Sequence, residues 1–110
     1  MVEARILIAD DSKMNQQILS EILGDRYEYL YADDGMQALE LLHSEFDIDL
    51  LLLDINMPRL DGFGVLEAMK QRNWLQEIPV IITSSEDDES FIQKAYELGV
   101  TDYIRRPFNL

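Results

Sequence analysis

The chain has 110 residues, 47% of them apolar, which is enough for one core and leaves no room for a second domain. Its 22 acidic against 9 basic residues give a formal charge of −13, which argues against direct binding to nucleic acid or to an anionic membrane surface. The absence of cysteine removes disulfides and thiolate metal sites, and there is neither a basic, apolar leader nor an apolar stretch of ~18 residues, so a soluble, cytoplasmic protein is expected.

Short apolar runs alternate with amphipathic segments along the whole chain. Arg5–Ala9 reads as the first strand. A helix then runs from Ser12, its N-cap, to Leu23, with Met14, Ile18, Leu19, Ile22 and Leu23 at helical spacing and Gly24 as the stop. Residues 27–32 form a second strand and Asp34-Gly35 a turn. Residues 36–43 form a helix with Met36, Leu39 and Leu42 on one stripe and His43 favourably placed at the C-terminal dipole. The third strand, residues 49–53, carries consecutive rather than alternating apolar residues, as expected of a central parallel strand covered on both faces.

Pro58 and Asp61-Gly62 mark a loop before a third helix, residues 63–72, which buries Val65, Leu66 and Met69; Trp74 is expected to cover the core from a loop. Residues 79–83 make the fourth strand and 84–88 a polar loop whose acidic end, 86–89, is solvated. Glu89–Leu98 forms the fourth helix, packing through Phe91, Ile92, Ala95, Tyr96 and Leu98 with Gly99 as its stop, and residues 101–105 the fifth strand.

Five strands with four intervening helices imply right-handed crossovers and therefore an α/β fold with a doubly wound parallel sheet. A fifth helix is missing after residues 107–110. Its absence predicts an exposed apolar face, covered either by chain beyond this sequence or by a partner, with homodimerisation one outcome.

In such a sheet Asp10 and Asp11 after strand one, Asp54 after strand three, Thr83 after strand four and Arg106 after strand five all lie at the C-terminal edge, where these folds place their chemistry. Three crowded carboxylates repel by roughly 1–4 kcal/mol per pair at ~4 Å, a penalty that a divalent cation removes. Hard oxygen donors without His or Cys favour Mg²⁺ or Mn²⁺. Asp54 is then left to attack phosphorus, with Thr83 offering a hydroxyl and Arg106 a positive charge to the phosphoryl oxygens.

The segments Ile6-Leu7-Ile8-Ala9-Asp10-Asp11-Ser12 and Leu53-Asp54-Ile55-Asn56-Met57-Pro58 with Asp61-Gly62, the strand ending in Thr83, and Arg106-Pro107-Phe108 resemble, in order and spacing, the receiver domain of bacterial response regulators. That family includes the chemotaxis response regulator. The resemblance implies a flavodoxin-like sheet of order 2-1-3-4-5, with the whole of 1–110 as a single receiver domain at the N-terminal end of a longer protein. It implies Asp54 as the phosphoacceptor, and Asp10, Asp11, Asp54 and the backbone carbonyl of Asn56 as Mg (or Mn) ligands. Thr83 and Tyr103 become the switch pair, Arg106 a phosphate contact, and Ser84 and Ser85 positions that tune hydrolysis. Pro107 is structural, following a cis peptide bond.

By the same resemblance the phosphoryl group comes from a sensor histidine kinase or phosphotransfer protein. The response passes from residues 84–88 through Thr83 and Tyr103 to the fourth helix and fifth strand, and on to a C-terminal output domain, a cyclic-di-nucleotide enzyme being one candidate. The expected activity is that of a switch and not of an enzyme. Two departures stand out: Arg106 replaces the usual lysine, with a bulkier planar head, and the last helix is missing. A degenerate receiver, acting as a phosphorylation-independent interaction module, therefore stays open. A haloacid-dehalogenase-type hydrolase would need a general acid where the chain has Asn56, and a flavin module would place its phosphate against Asp10 and Asp11; both are disfavoured.

Overall fold

Consecutive apolar residues in β1 (Arg5–Ala9) and β3 (Leu50–Asp54) place one set of side chains on each face of a sheet, since strand side chains alternate. The computed structural model describes residues 3–45, 47–84 and 89–106. The remaining elements are α1 (Lys13–Leu23), β2 (Glu28–Ala32), α2 (Gly35–Ser44), α3 (Gly62–Gln71), a single 3-10 turn at Trp74–Gln76, β4 (Val80–Ser84), α4 (Glu89–Leu98) and β5 (Asp102–Arg105). All neighbouring strands pair in parallel, in the order β2-β1-β3-β4-β5. The sheet order, the alternation with helices and the four α-helices among the described residues agree with the sequence reading.

Leu7, Ala9, Leu51, Leu53, Val80 and Ile82 line the larger core with Val65, Leu66 and Met69 of α3. Ile6, Ile8 and Leu52 face the other way and pack on Leu19 of α1, a smaller core. Tyr103 packs against the larger core; Ile104, the next residue along β5 and so directed to the opposite face, remains 39% exposed. Among the described residues, no helix is long and apolar enough to cross a membrane.

Three short polar side chains start helices, Ser12 as the sequence suggests and Asp34 and Asp61 where the sequence suggests a turn and a loop. Ser12 Oγ accepts from Asn15 N at 3.2 Å, Asp34 Oδ1 from Gln37 N at 2.8 Å, and Asp61 Oδ1 from Gly64 N at 2.8 Å. Gly35 therefore opens α2 rather than closing a turn, and a Cβ there would run into the carbonyl oxygen of Leu60. Trp74 covers the core from the 3-10 turn, with the Arg72 guanidinium 4.9 Å from its ring centroid.

The structure corrects the helix stripes. Met14 is 71% exposed and Gln16 is buried, because α1 is rotated so that Gln16 and Leu19 face the sheet and Met14, about 200° round the axis from Gln16, faces solvent. Ile22 and Met36 are likewise exposed. On α4 the small Ala95 makes the deep contact, so Phe91 and Tyr96, expected in the packing set, lie at the surface; Phe91 stacks on Phe63 with ring centroids 5.7 Å apart.

Candidate functional site

Asp10 follows β1 directly and its backbone N–H donates to Ala32 O at 3.0 Å, which continues the sheet ladder into the loop. Its side chain is buried. Oδ1 accepts from Ser12 N at 2.9 Å, while Oδ2 is buried without a hydrogen-bond partner. Asp54 is the last residue of β3, opposite Thr83 of β4, and 1% exposed; the strand extends to it rather than ending at Leu53. Its Oδ1 accepts from Arg106 Nη2 at 3.1 Å and from Asn56 N at 3.2 Å. Arg106 Nη1 lies 3.9 Å from Asp10 Oδ2, so one guanidinium addresses both buried carboxylates.

Asp10, Asp11 and Asp54 each offer an oxygen within 4.8 Å of the others, with Asp11 exposed at the mouth. Burial pushes the Asp54 carboxyl up to about 6, the nearby Asp10 charge adds to this, and Arg106 and the Asn56 N–H oppose it. Asp10 is also raised, by burial first, against the Ser12 N–H bond and Arg106. The unbonded Asp10 Oδ2 and an all-carboxylate donor set fit a hard divalent cation such as Mg²⁺ or Mn²⁺.

Thr83 is buried one residue before the end of β4, between Asp54 and Ile104 in register. Tyr103 pairs with Ile82 and is half-buried against the larger core, one register step away, so it does not join the carboxylate cluster. Asn56 is exposed and contributes its N–H to Asp54. Ser84, expected in the polar loop, is instead the buried last residue of β4, and its carbonyl accepts from Arg106 N at 2.8 Å: pairing with β5 draws it into the sheet. Ser85 and Pro107, with the expected cis bond and the rest of the 85–88 loop, lie outside the described residues.

Two residues support the site in ways that the sequence does not show: Gly62, read there as part of a loop and of the matched motif, and Gln16, not singled out. Gly62 N donates to Ile55 O at 2.8 Å, and a Cβ at Gly62 would lie 2.6 Å from Asp54 O and 2.8 Å from Ile55 Cα, so only glycine lets α3 approach the end of β3 this closely. Gln16 is buried behind Asp10. Its one signal in the sequence is a polar side chain three residues before Leu19, on the stripe that turns inward.

Comparison with known proteins identifies the family and the fold. The sequence model of the response regulator receiver domain matches residues 6–110. Among curated proteins, the chain is 35% identical over 103 residues to the two-component response regulator ORR5 of Oryza sativa subsp. japonica, covering 93% of this chain and 77% of that one. It is 36% identical over 108 residues to a probable cyclic di-GMP phosphodiesterase of Vibrio cholerae, covering 98% of this chain but only 24% of the relative. Among solved structures, it is similar to the phosphorylated cyanobacterial phytochrome response regulator RcpA, with a TM-score of 0.88, 31% identity and coverage of 96% and 82% of the two chains. The Mn²⁺-bound form of response regulator Rcp1 aligns with a TM-score of 0.85 and 31% identity, covering 97% and 84%.

Proposed function

We propose, for a chain that belongs to the family of response regulator receiver domains, that Asp54 accepts a phosphoryl group and so switches the surface formed by α4 and β5. The observation that carries this reading is the Asp54 carboxylate at the tip of β3, clustered with Asp10 and Asp11 and held by Arg106 at 3.1 Å. With Oδ1 engaged by Arg106 and Asn56 N, rotation of the carboxylate is restrained and its other oxygen is positioned to attack. An Asp54 oxygen forms a bond to phosphorus as the phosphorus–nitrogen bond of a donor phosphohistidine breaks, and the imidazole keeps the electron pair and takes up a proton.

Asp10, Asp11, Asp54 and the Asn56 carbonyl would hold Mg²⁺ or Mn²⁺, which when bound neutralises charge on the transferring group. Arg106 supplies the cationic contact to the phosphoryl oxygens and the Thr83 hydroxyl donates to one of them. No carboxylic acid stands two residues beyond Asp54, where Asn56 sits, so the acyl phosphate hydrolyses slowly and the domain acts as a switch rather than as a hydrolase. The shift passes from Thr83 to Tyr103 across the β4–β5 pair, with Ser84, drawn into the sheet beside Arg105, restricting water near the site.

The donor is a sensor histidine kinase or phosphotransfer protein in the cytoplasm, and the domain is the N-terminal receiver of a longer chain. The relative described as a probable cyclic di-GMP phosphodiesterase supports an output enzyme of that class. Intact mass after incubation with acetyl phosphate and Mg²⁺ tests the reading: one phosphoryl adduct is expected on the parent and none on Asp54→Asn. An adduct that survives the substitution, or none on the parent, refutes it.

A further inference from the structure

Gln16 is 5% exposed on α1, where an apolar side chain would meet the packing requirement without burying an amide. Its Nε2 lies 2.7 Å from the Asp10 carbonyl oxygen, 2.8 Å from Asp33 Oδ1 and 3.4 Å from the Ala32 carbonyl oxygen. All three partners are acceptors. Only the orientation that turns the NH₂ group toward them is compatible, and both of its N–H donors are committed.

Asp10 is thereby gripped at two points. Ser12 N holds Oδ1 at 2.9 Å, Gln16 holds the main-chain carbonyl, and Oδ2 is left buried and unbonded. The grip continues outward. Asp33 accepts from Lys13 Nζ at 2.8 and 3.1 Å, and Asp33 N donates to Gln37 Oε1 at 2.6 Å. Lys13, Gln16, Asp33 and Gln37 therefore tie α1, the end of β2 and α2 together directly behind the loop that carries both acidic residues. Asp11, the next residue and exposed, takes its position from the backbone that Gln16 holds.

We propose that Gln16 is a positioning residue of the cation pocket, an amide brace that fixes the Asp10–Asp11 loop from behind and thereby sets its affinity for a divalent ion. This rests on the reading of Asp10, Asp11 and Asp54 as cation ligands. The brace limits how far the two carboxylates can separate, so less ordering of the loop remains to be done when an ion binds.

Mn²⁺ binding, followed by the paramagnetic resonance of the free ion, tests the brace on the parent, Gln16→Met, Asp33→Ala and Leu19→Ala, with thermal unfolding measured alongside. Gln16→Met keeps the length and loses the donors, and should weaken Mn²⁺ binding about tenfold; Asp33→Ala, which removes one of the three acceptors that hold the amide, should weaken it about threefold. Leu19→Ala, on the same helix but in the smaller core, should lower the melting temperature and leave Mn²⁺ affinity at the parent value. Parent-like binding by Gln16→Met overturns the proposal, as does an equal loss in Leu19→Ala. Should Gln16→Met fail to fold, Asp33→Ala decides at a half-exposed position, and parent-like binding there overturns it. A parent that binds no Mn²⁺ defeats the cation reading and this inference together, whereas a binding parent matched by Gln16→Met defeats the brace alone.

Discussion

Asp54→Asn should stabilise the fold near neutral pH when no divalent cation is present. The carboxyl of Asp54 is raised from 3.8 to about 6, chiefly by burial. At about 1.4 kcal/mol for each tenfold change in proton affinity, this corresponds to an upper bound of ~3 kcal/mol against the ionised folded state. Solvent at the mouth, where Asp11 is exposed, screens part of that, so ~1–2 kcal/mol is the expected gain, or roughly 5–15 °C in melting temperature for a domain of this size. Between 3.8 and about 6 the folded protein retains a proton that the unfolded chain has released, so the stability of the parent falls as pH rises through that window. The advantage of Asp54→Asn should therefore open across the same interval and close on acidification below pH ~4. Thermal unfolding by circular dichroism across that range measures it. Saturating Mg²⁺ should raise the melting temperature of the parent and not of the variant, since only the former retains the full ligand set. A variant no more stable than the parent at neutral pH, or an advantage that is flat with pH, would refute the argument that burial of ionised Asp54 strains the site.

Gly62→Ala should cost ~1–3 kcal/mol of stability, because the added methyl meets the backbone of Asp54 and Ile55 rather than a side chain that can swing away; a parent-like denaturation midpoint would count against the close approach. Arg106→Gln removes the positive charge that holds the Asp54 carboxyl down, so its titration, followed by carboxyl carbon NMR, should move above about 6. A midpoint that stays in place or falls would mean that the guanidinium does not govern Asp54.

Much of the fold was legible because its signals are local. The consecutive apolar residues of β1 and β3 are what a strand buried on both faces requires, and Ser12 marks the start of α1 through a side-chain oxygen that bonds within the next turn. Once strands and helices alternate, parallel topology alone places Asp10, Asp11, Asp54, Thr83 and Arg106 at one edge, so the candidate site followed from order along the chain.

What the tertiary structure decided is phase and proximity. Periodicity marks an amphipathic stripe, but hydrogen bonds to Asp10, Ala32 and Asp33 rotate α1 so that polar Gln16 points inward and Met14 outward. Pairing with β5 drew Ser84 from a loop into the sheet, and the glycine that admits α3 to Asp54 is set by a backbone contact that composition does not reveal. Arg106 is 52 residues from Asp54 in the chain, and its 3.1 Å contact exists only because β3, β4 and β5 lie side by side. A linear pattern thus determined which residues reach the pocket; the packing of elements distant in sequence determined how they are held there and what charge each one feels.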